Sequence, residues 1–184
     1  MYKKIHITLL LSCILTLGSL DAKEPSITAS MKKEQTTIKT VDGSSIKVTL
    51  LPKGLHFKGY EKKIVLLEFF GHSCPPCRAA IPGYNRLQKK YADDVTVIAI
   101  ESWGLQKEKL QRFVEQMGID YKVAATTDAG KMFKFVGKLT GWAPKYGVPF
   151  LILFAPGGKL VKYLPPGKFD ESYVEKSISQ IRGE

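Results

Sequence analysis

The sequence predicts an α/β domain in which a central mixed sheet is flanked by helices and preceded by a β-hairpin, and three observations carry that prediction. Two near-continuous apolar runs, "KIVLLEFF" (residues 63–70) and "VTVIAIES" (residues 95–102), have the Val- and Ile-rich character of strands buried on both faces of a sheet. Between them, "CRAAIPGYNRLQKKY" places Ala80, Tyr84, Leu87 and Tyr91 at helical spacing, so the three segments form a right-handed βαβ unit. Near the C-terminus, "PFLILF" and "KLVKYL" flank Pro156, Gly157 and Gly158 as an antiparallel pair, which makes the sheet mixed.

Taken in chain order, the N-terminus sets Lys3 and Lys4 before an apolar run from Ile5 to Leu20, followed by Asp21 and Ala22. That is the plan of a secretory signal over residues 1–22, cleaved after Ala22. The run is shorter than the roughly 20 apolar residues a spanning helix needs. A second reading is a lipoprotein signal ending before Cys13, because Leu10, Leu11, Ser12 and Cys13 resemble a bacterial lipobox; the chain would then be anchored to a membrane by lipid. Residues 23–35 are polar, punctuated by Pro25, and read as a flexible leader. The domain then runs over residues 36–184, opening with a hairpin of two outer strands about Asp42-Gly43.

After the βαβ unit, residues 106–117 read as a helix ended by Gly118, and residues 128–136 as a shorter one. "DESYVEKSISQI" closes the chain as a helix with an acidic first turn. The 184 residues carry a net charge of +11, or +10 once residues 1–22 are removed, but the lysines are scattered and no basic run exceeds two residues. Export and this scatter argue against nucleic acid as a partner; a solubilising surface is the simpler reading, with orientation at an anionic membrane second.

With Cys13 removed or lipidated, Cys74 and Cys77 are the cysteines of the folded domain. A bridge across two intervening residues removes little chain entropy, so the pair is chemical rather than structural. Cys74 follows the end of a buried strand, where ligands and chemistry gather in open α/β sheets. Pro75 disfavours α geometry at Cys74 and suits the first helical position, which places Cys74 at a helix cap with free backbone N–H groups near its sulfur. A helix terminus contributes only about 0.3 to 1 kcal/mol, so direct hydrogen bonds must do most of the work of lowering its pKa. Cys74 is then the attacking thiolate and Cys77 resolves the mixed disulfide.

"VLLEFFGHSCPPC", with Pro82 five residues after Cys77, and "YGVPFLILFAPGGKLV" together resemble the thioredoxin-like fold, and within it the exported TlpA/ResA-like thiol-disulfide oxidoreductases, over residues 36–181. The resemblance implies a cis peptide bond at Val148-Pro149 beside Cys74, with the Val148 backbone pairing with substrate. It also implies that Glu68, six positions before Cys74, is a buried carboxylate exchanging a proton with Cys77. It further implies reduction of cysteine pairs in exported proteins such as apocytochrome c, in the periplasm, with electrons from a membrane thiol transporter and no cofactor beyond the redox-active disulfide. Two departures stand out, since the family has Trp before the first cysteine and Thr after the cis proline, where this chain has Ser73 and Phe150.

Around this core, Tyr146 and Trp142 lead into the Pro149 loop and are candidates for a substrate groove, with Trp103 a weaker one. His72 reads as a solvent-facing loop residue, or as one that modulates Cys74 and contacts substrate. Two alternatives remain: an oxidase that forms disulfides in exported proteins, and a copper- or zinc-binding module using Cys74, Cys77 and His72, for which a fourth ligand is missing. Haem attachment is excluded because Arg78, not His, follows Cys77.

Overall fold

The computed structural model describes residues 33–167 and 169–184; the expected signal, Cys13 and the leader up to residue 32 lie outside these. A five-stranded sheet forms the centre, in the order β6 (Lys122–Ala124), β5 (Val95–Glu101), β4 (Ile64–Phe70), β7 (Phe150–Phe154), β8 (Leu160–Leu164). β4, β5 and β6 run parallel, whereas β7 and β8 are antiparallel, so the sheet is mixed as predicted. Every residue of β4, β5 and β7 is buried, which is why these runs lack polar alternation. The helices are α1 (Pro75–Lys90), α2 (Lys107–Met117), α3 (Met132–Thr140) and α4 (Glu171–Arg182).

Each face of the sheet carries its own core. Ile64, Leu66 and Phe70 alternate toward Cys77, Tyr84, Leu87 and Ile178 of α1 and α4, while Val65, Leu67 and Phe69 face Met132, Phe135 and Val136 of α3. Glu68 shares the first of these faces by alternation, which brings its carboxylate to the side on which α1 packs.

The N-terminal hairpin, β1 (Gln35–Lys39) and β2 (Ser45–Leu51), pairs with a third strand, β3 (Gly54–Phe57), in a separate three-stranded sheet rather than adding outer strands to the main one. Gln35, expected to end the leader, already pairs with Thr49. Its neighbour Glu34 is held by Lys134 and Lys138. The small sheet packs on the α3 side, with Phe57 edge-on to Phe154 at 5.4 Å between centroids. It is also keyed to the turn between β7 and β8, where Gly54 and Gly158 leave no room for side chains. A Cβ at Gly54 would lie 2.0 Å from the Gly158 carbonyl oxygen, and one at Gly158 would lie 2.0 Å from that of Leu55.

The third helix begins at Met132, four residues later than the sequence pattern suggests, because residues 126–128 form a separate 3₁₀ turn and Gly130, at φ +58°, breaks the continuity.

Candidate functional site

β4 ends at Phe70, and the chain turns immediately, with the Cys74 N–H donating to the Gly71 carbonyl at 3.0 Å. His72 and Ser73 are the central residues of this turn, and Cys74 is the N-cap of α1. Cys74 and Cys77 are joined by a disulfide, their Cα atoms 5.2 Å apart. The first two helical positions are Pro75 and Pro76, which have no N–H to offer. The Arg78 N–H is taken by the Cys74 carbonyl at 3.0 Å. The Cys77 N–H, 3.2 Å from the Cys74 sulfur, is therefore the helix's single donor to it. The several free N–H groups expected from the sequence reduce to one, for a reason written in the two prolines.

Opposite the disulfide, the Val148-Pro149 peptide bond is cis, and the Val148 carbonyl oxygen lies 3.9 Å from the Cys74 sulfur. This places the Val148 backbone beside the Cys74 sulfur. Trp142 is not part of an open groove. It is 5% exposed, stacked on Phe150 at 4.7 Å and tilted against Phe69 at 4.6 Å. Its indole N–H donates to the Gly147 carbonyl at 3.2 Å, so it buttresses the Pro149 loop from beneath. Phe150 supplies the flat ring on which Trp142 stacks. Tyr146 is 57% exposed at the loop's entrance and remains available to a partner.

Glu68 is 1% exposed, and its Oε1 has no hydrogen-bond partner among the described residues. Burial pushes its pKa up to about 8, opposed in part by the nearby Tyr84 hydroxyl. That hydroxyl also has no hydrogen-bond partner among the described residues. Burial and the neighbouring Glu68 raise the Tyr84 pKa well above the ordinary phenol value, and Tyr121, whose ring meets Tyr84 edge-on at 5.9 Å, behaves alike. A carboxyl titrating near neutrality on the face that carries Cys77 is suited to exchange protons as the disulfide opens and closes.

His72 is not a free loop residue. Its Nδ1 lies 2.9 Å from Oε1 of Glu101, the last residue of β5, whose side chain is wholly buried. The same carboxylate accepts the Trp103 N–H at 3.0 Å and the Leu105 N–H at 2.8 Å. The indole of Trp103 covers Gly71, where a Cβ would lie 2.4 Å from the ring, and meets the imidazole edge-on at 6.2 Å. Glu101 was missed in the sequence because it ends an apolar strand, where a carboxylate ordinarily turns to solvent. Among the described residues, no group of three or more His, Cys, Asp or Glu side chains is arranged to hold a metal ion.

The sequence profile of the AhpC/TSA family matches residues 52–162. The thiol-disulfide oxidoreductase ResA of Halalkalibacterium halodurans is 26% identical over 136 residues, covering 72% of this chain and 70% of that protein. The thioredoxin-like protein YneN of Bacillus subtilis is 41% identical over a local stretch of 49 residues, 27% of this chain and 29% of that protein. Among solved structures, a thioredoxin from Neisseria meningitidis superposes with a TM-score of 0.62 at 18% identity, covering 83% of this chain and 90% of that one. A DsbE thiol:disulfide interchange protein from Chlorobium tepidum gives 0.58 at 21% identity, covering 81% and 94%. These structural likenesses establish the thioredoxin-like fold.

Proposed function

We propose, from a chain that belongs to the AhpC/TSA family and is a thiol-disulfide oxidoreductase of the ResA type, that it works as a reductant of disulfides in exported proteins. Cys74 attacks the substrate disulfide, and Cys77 then displaces the reduced substrate and closes the bridge. Glu68 accepts the Cys77 proton, while Val148 and Pro149 receive the substrate backbone beside the sulfur.

The direction rests on one observation, the single N–H that reaches the Cys74 sulfur among the described residues. A CXXC protein becomes a strong oxidant when its reduced form is stabilised, chiefly through its thiolate. Here two prolines withdraw the donors that would do so, and the nearby Arg78 guanidinium lies over the Phe113 ring at 5.9 Å. The reduced form holds its electrons loosely.

The charged and then apolar segment of residues 1–22 supports export to the periplasm, and cytochrome c maturation is the corresponding reading of the substrate as an apocytochrome c. A membrane thiol transporter would supply electrons. Equilibration in glutathione buffers tests the direction, with a potential near the thioredoxin value of about −270 mV expected; one near about −120 mV would make the protein an oxidase. Trapping with Cys77→Ala leaves the substrate joined to Cys74 and identifies it.

A further inference from the structure

The His72 and Glu101 pair has no part in the reading above, yet it is built with more hydrogen bonds than any other carboxylate near the disulfide. Both oxygens of Glu101 accept backbone N–H groups, Oε1 from Trp103 and Oε2 from Leu105. A carboxylate so occupied is an acceptor only, so the bond to His72 is donated by Nδ1–H. The ring is thereby fixed in orientation, and Nε2 is left as the atom that exchanges a proton. Imidazole is the side chain whose proton is most readily given and taken near neutral pH. The His72 side chain is 30% exposed, so a bound molecule can reach it. As a central residue of the turn that ends at Cys74, His72 has its Cα within about 7.6 Å of the Cys74 Cα, twice the consecutive spacing.

We propose that His72 is a general acid for the sulfur that leaves the substrate, and that Glu101 is its positioning residue. The proposal rests on the disulfide reductase reading and adds a residue to that reaction. The Cys74 thiolate attacks one sulfur of R–S–S–R′; the Cys74–S bond forms as the S–S bond breaks, and the electron pair stays on R′S⁻. His72 Nε2–H gives its proton to that sulfur, which departs as R′SH, while Nδ1–H remains on Glu101. Cys77, deprotonated by Glu68, then displaces RS⁻ and forms the disulfide present in the structure. Two electrons pass from the thiol pair to the substrate, and the enzyme is left as the disulfide; two electrons from the membrane thiol donor restore the Cys74 and Cys77 thiols before the next turnover.

A proton donor matters when the leaving thiol is basic and is superfluous when it is acidic, because acidic thiols leave readily as thiolates. The reduced full chain is therefore assayed for the rate of reduction of hydroxyethyl disulfide, whose leaving thiol is basic, and of dithiobis-nitrobenzoate, whose leaving thiol is acidic. His72→Asn keeps an N–H toward Glu101 but carries no exchangeable Nε2 proton. The expected result is a fall of about a hundredfold or more in the ratio of the first rate to the second, the typical range for a general acid. A merely structural role slows both substrates alike and leaves the ratio unchanged, and that result overturns the proposal. If the wild-type protein reduces neither disulfide, the oxidoreductase reading falls as well.

Discussion

Glu68 and Glu101 lie on adjacent parallel strands, each hidden from solvent, and their oxygens meet opposite fates. Glu101 ends β5, where the chain leaves the sheet and the N–H groups of Trp103 and Leu105 are free to fold back as donors. Glu68 stands in the middle of β4, paired with β5 on one side and β7 on the other, so the backbone around it is committed to the ladder. Its polar neighbour is the Tyr84 phenol, which offsets only part of the rise that burial causes. Position along a strand, rather than depth, thus decides whether a buried acid is satisfied or left ready to titrate.

The largest test of this contrast is the pH dependence of stability. Well below its ordinary pKa of 4.5, Glu68 is protonated in folded and unfolded chains alike. Between there and about pH 8 the folded protein retains a proton that the unfolded chain has lost, so stability falls as pH rises through that window. The full swing is on the order of 5 kcal/mol. Denaturant midpoints of oxidised wild type and Glu68→Gln from about pH 5 to pH 9 should diverge by this slope; parallel curves would show that Glu68 is not protonated by its surroundings.

Next in size, Glu101→Ala strands two backbone donors and the His72 ring, and should cost roughly 3–5 kcal/mol in chemical denaturation. A loss below about 1 kcal/mol would mean that water replaces the carboxylate easily and that the contrast with Glu68 is weak. Smaller again, Tyr84→Phe removes a hydroxyl with no hydrogen-bond partner among the described residues, so stability should change by about 1 kcal/mol or less. The Glu68 transition should nevertheless move to higher pH, since the phenol opposes the rise. The least effect is expected on the surface, where Arg86 makes two bonds to Glu171 and lowers its pKa. Arg86→Ala should leave the denaturation midpoint unmoved in moderate salt, because solvent and ions screen an exposed pair.

Much of this arrangement is legible in the sequence, where a strong local signal coincides with a buried element. β4, β5, β7 and α1 are long apolar or periodic segments, and Asp42-Gly43 marks its hairpin without tertiary help. Cys74, Cys77, Glu68 and the Pro149 loop follow from motifs. β3 and β6 were not legible, since four residues reading "GLHF" and three reading "KVA" exist as strands only because a neighbour offers a ladder. Sequence shows the proximity of Trp142 to Pro149, which makes it a candidate for a groove, but not the ring of Phe150 on which it stacks. His72 and Glu101 are 29 positions apart, and their pairing depends on strand register, which brings Glu101 opposite Phe70 just before the turn. No local pattern records such a meeting.

The contact between Gly54 and Gly158 ties the leading sheet to the far end of the strand that starts at the proline loop. Backbone meets backbone there without a side chain to trim, so a methyl group at Gly54 would displace Gly158 and one at Gly158 would displace Leu55. An engineer who shortened the chain to its redox core would strip the lid from Phe154 and unlatch the hairpin behind Pro149. The extension belongs to the working machine and cannot be discarded as packaging.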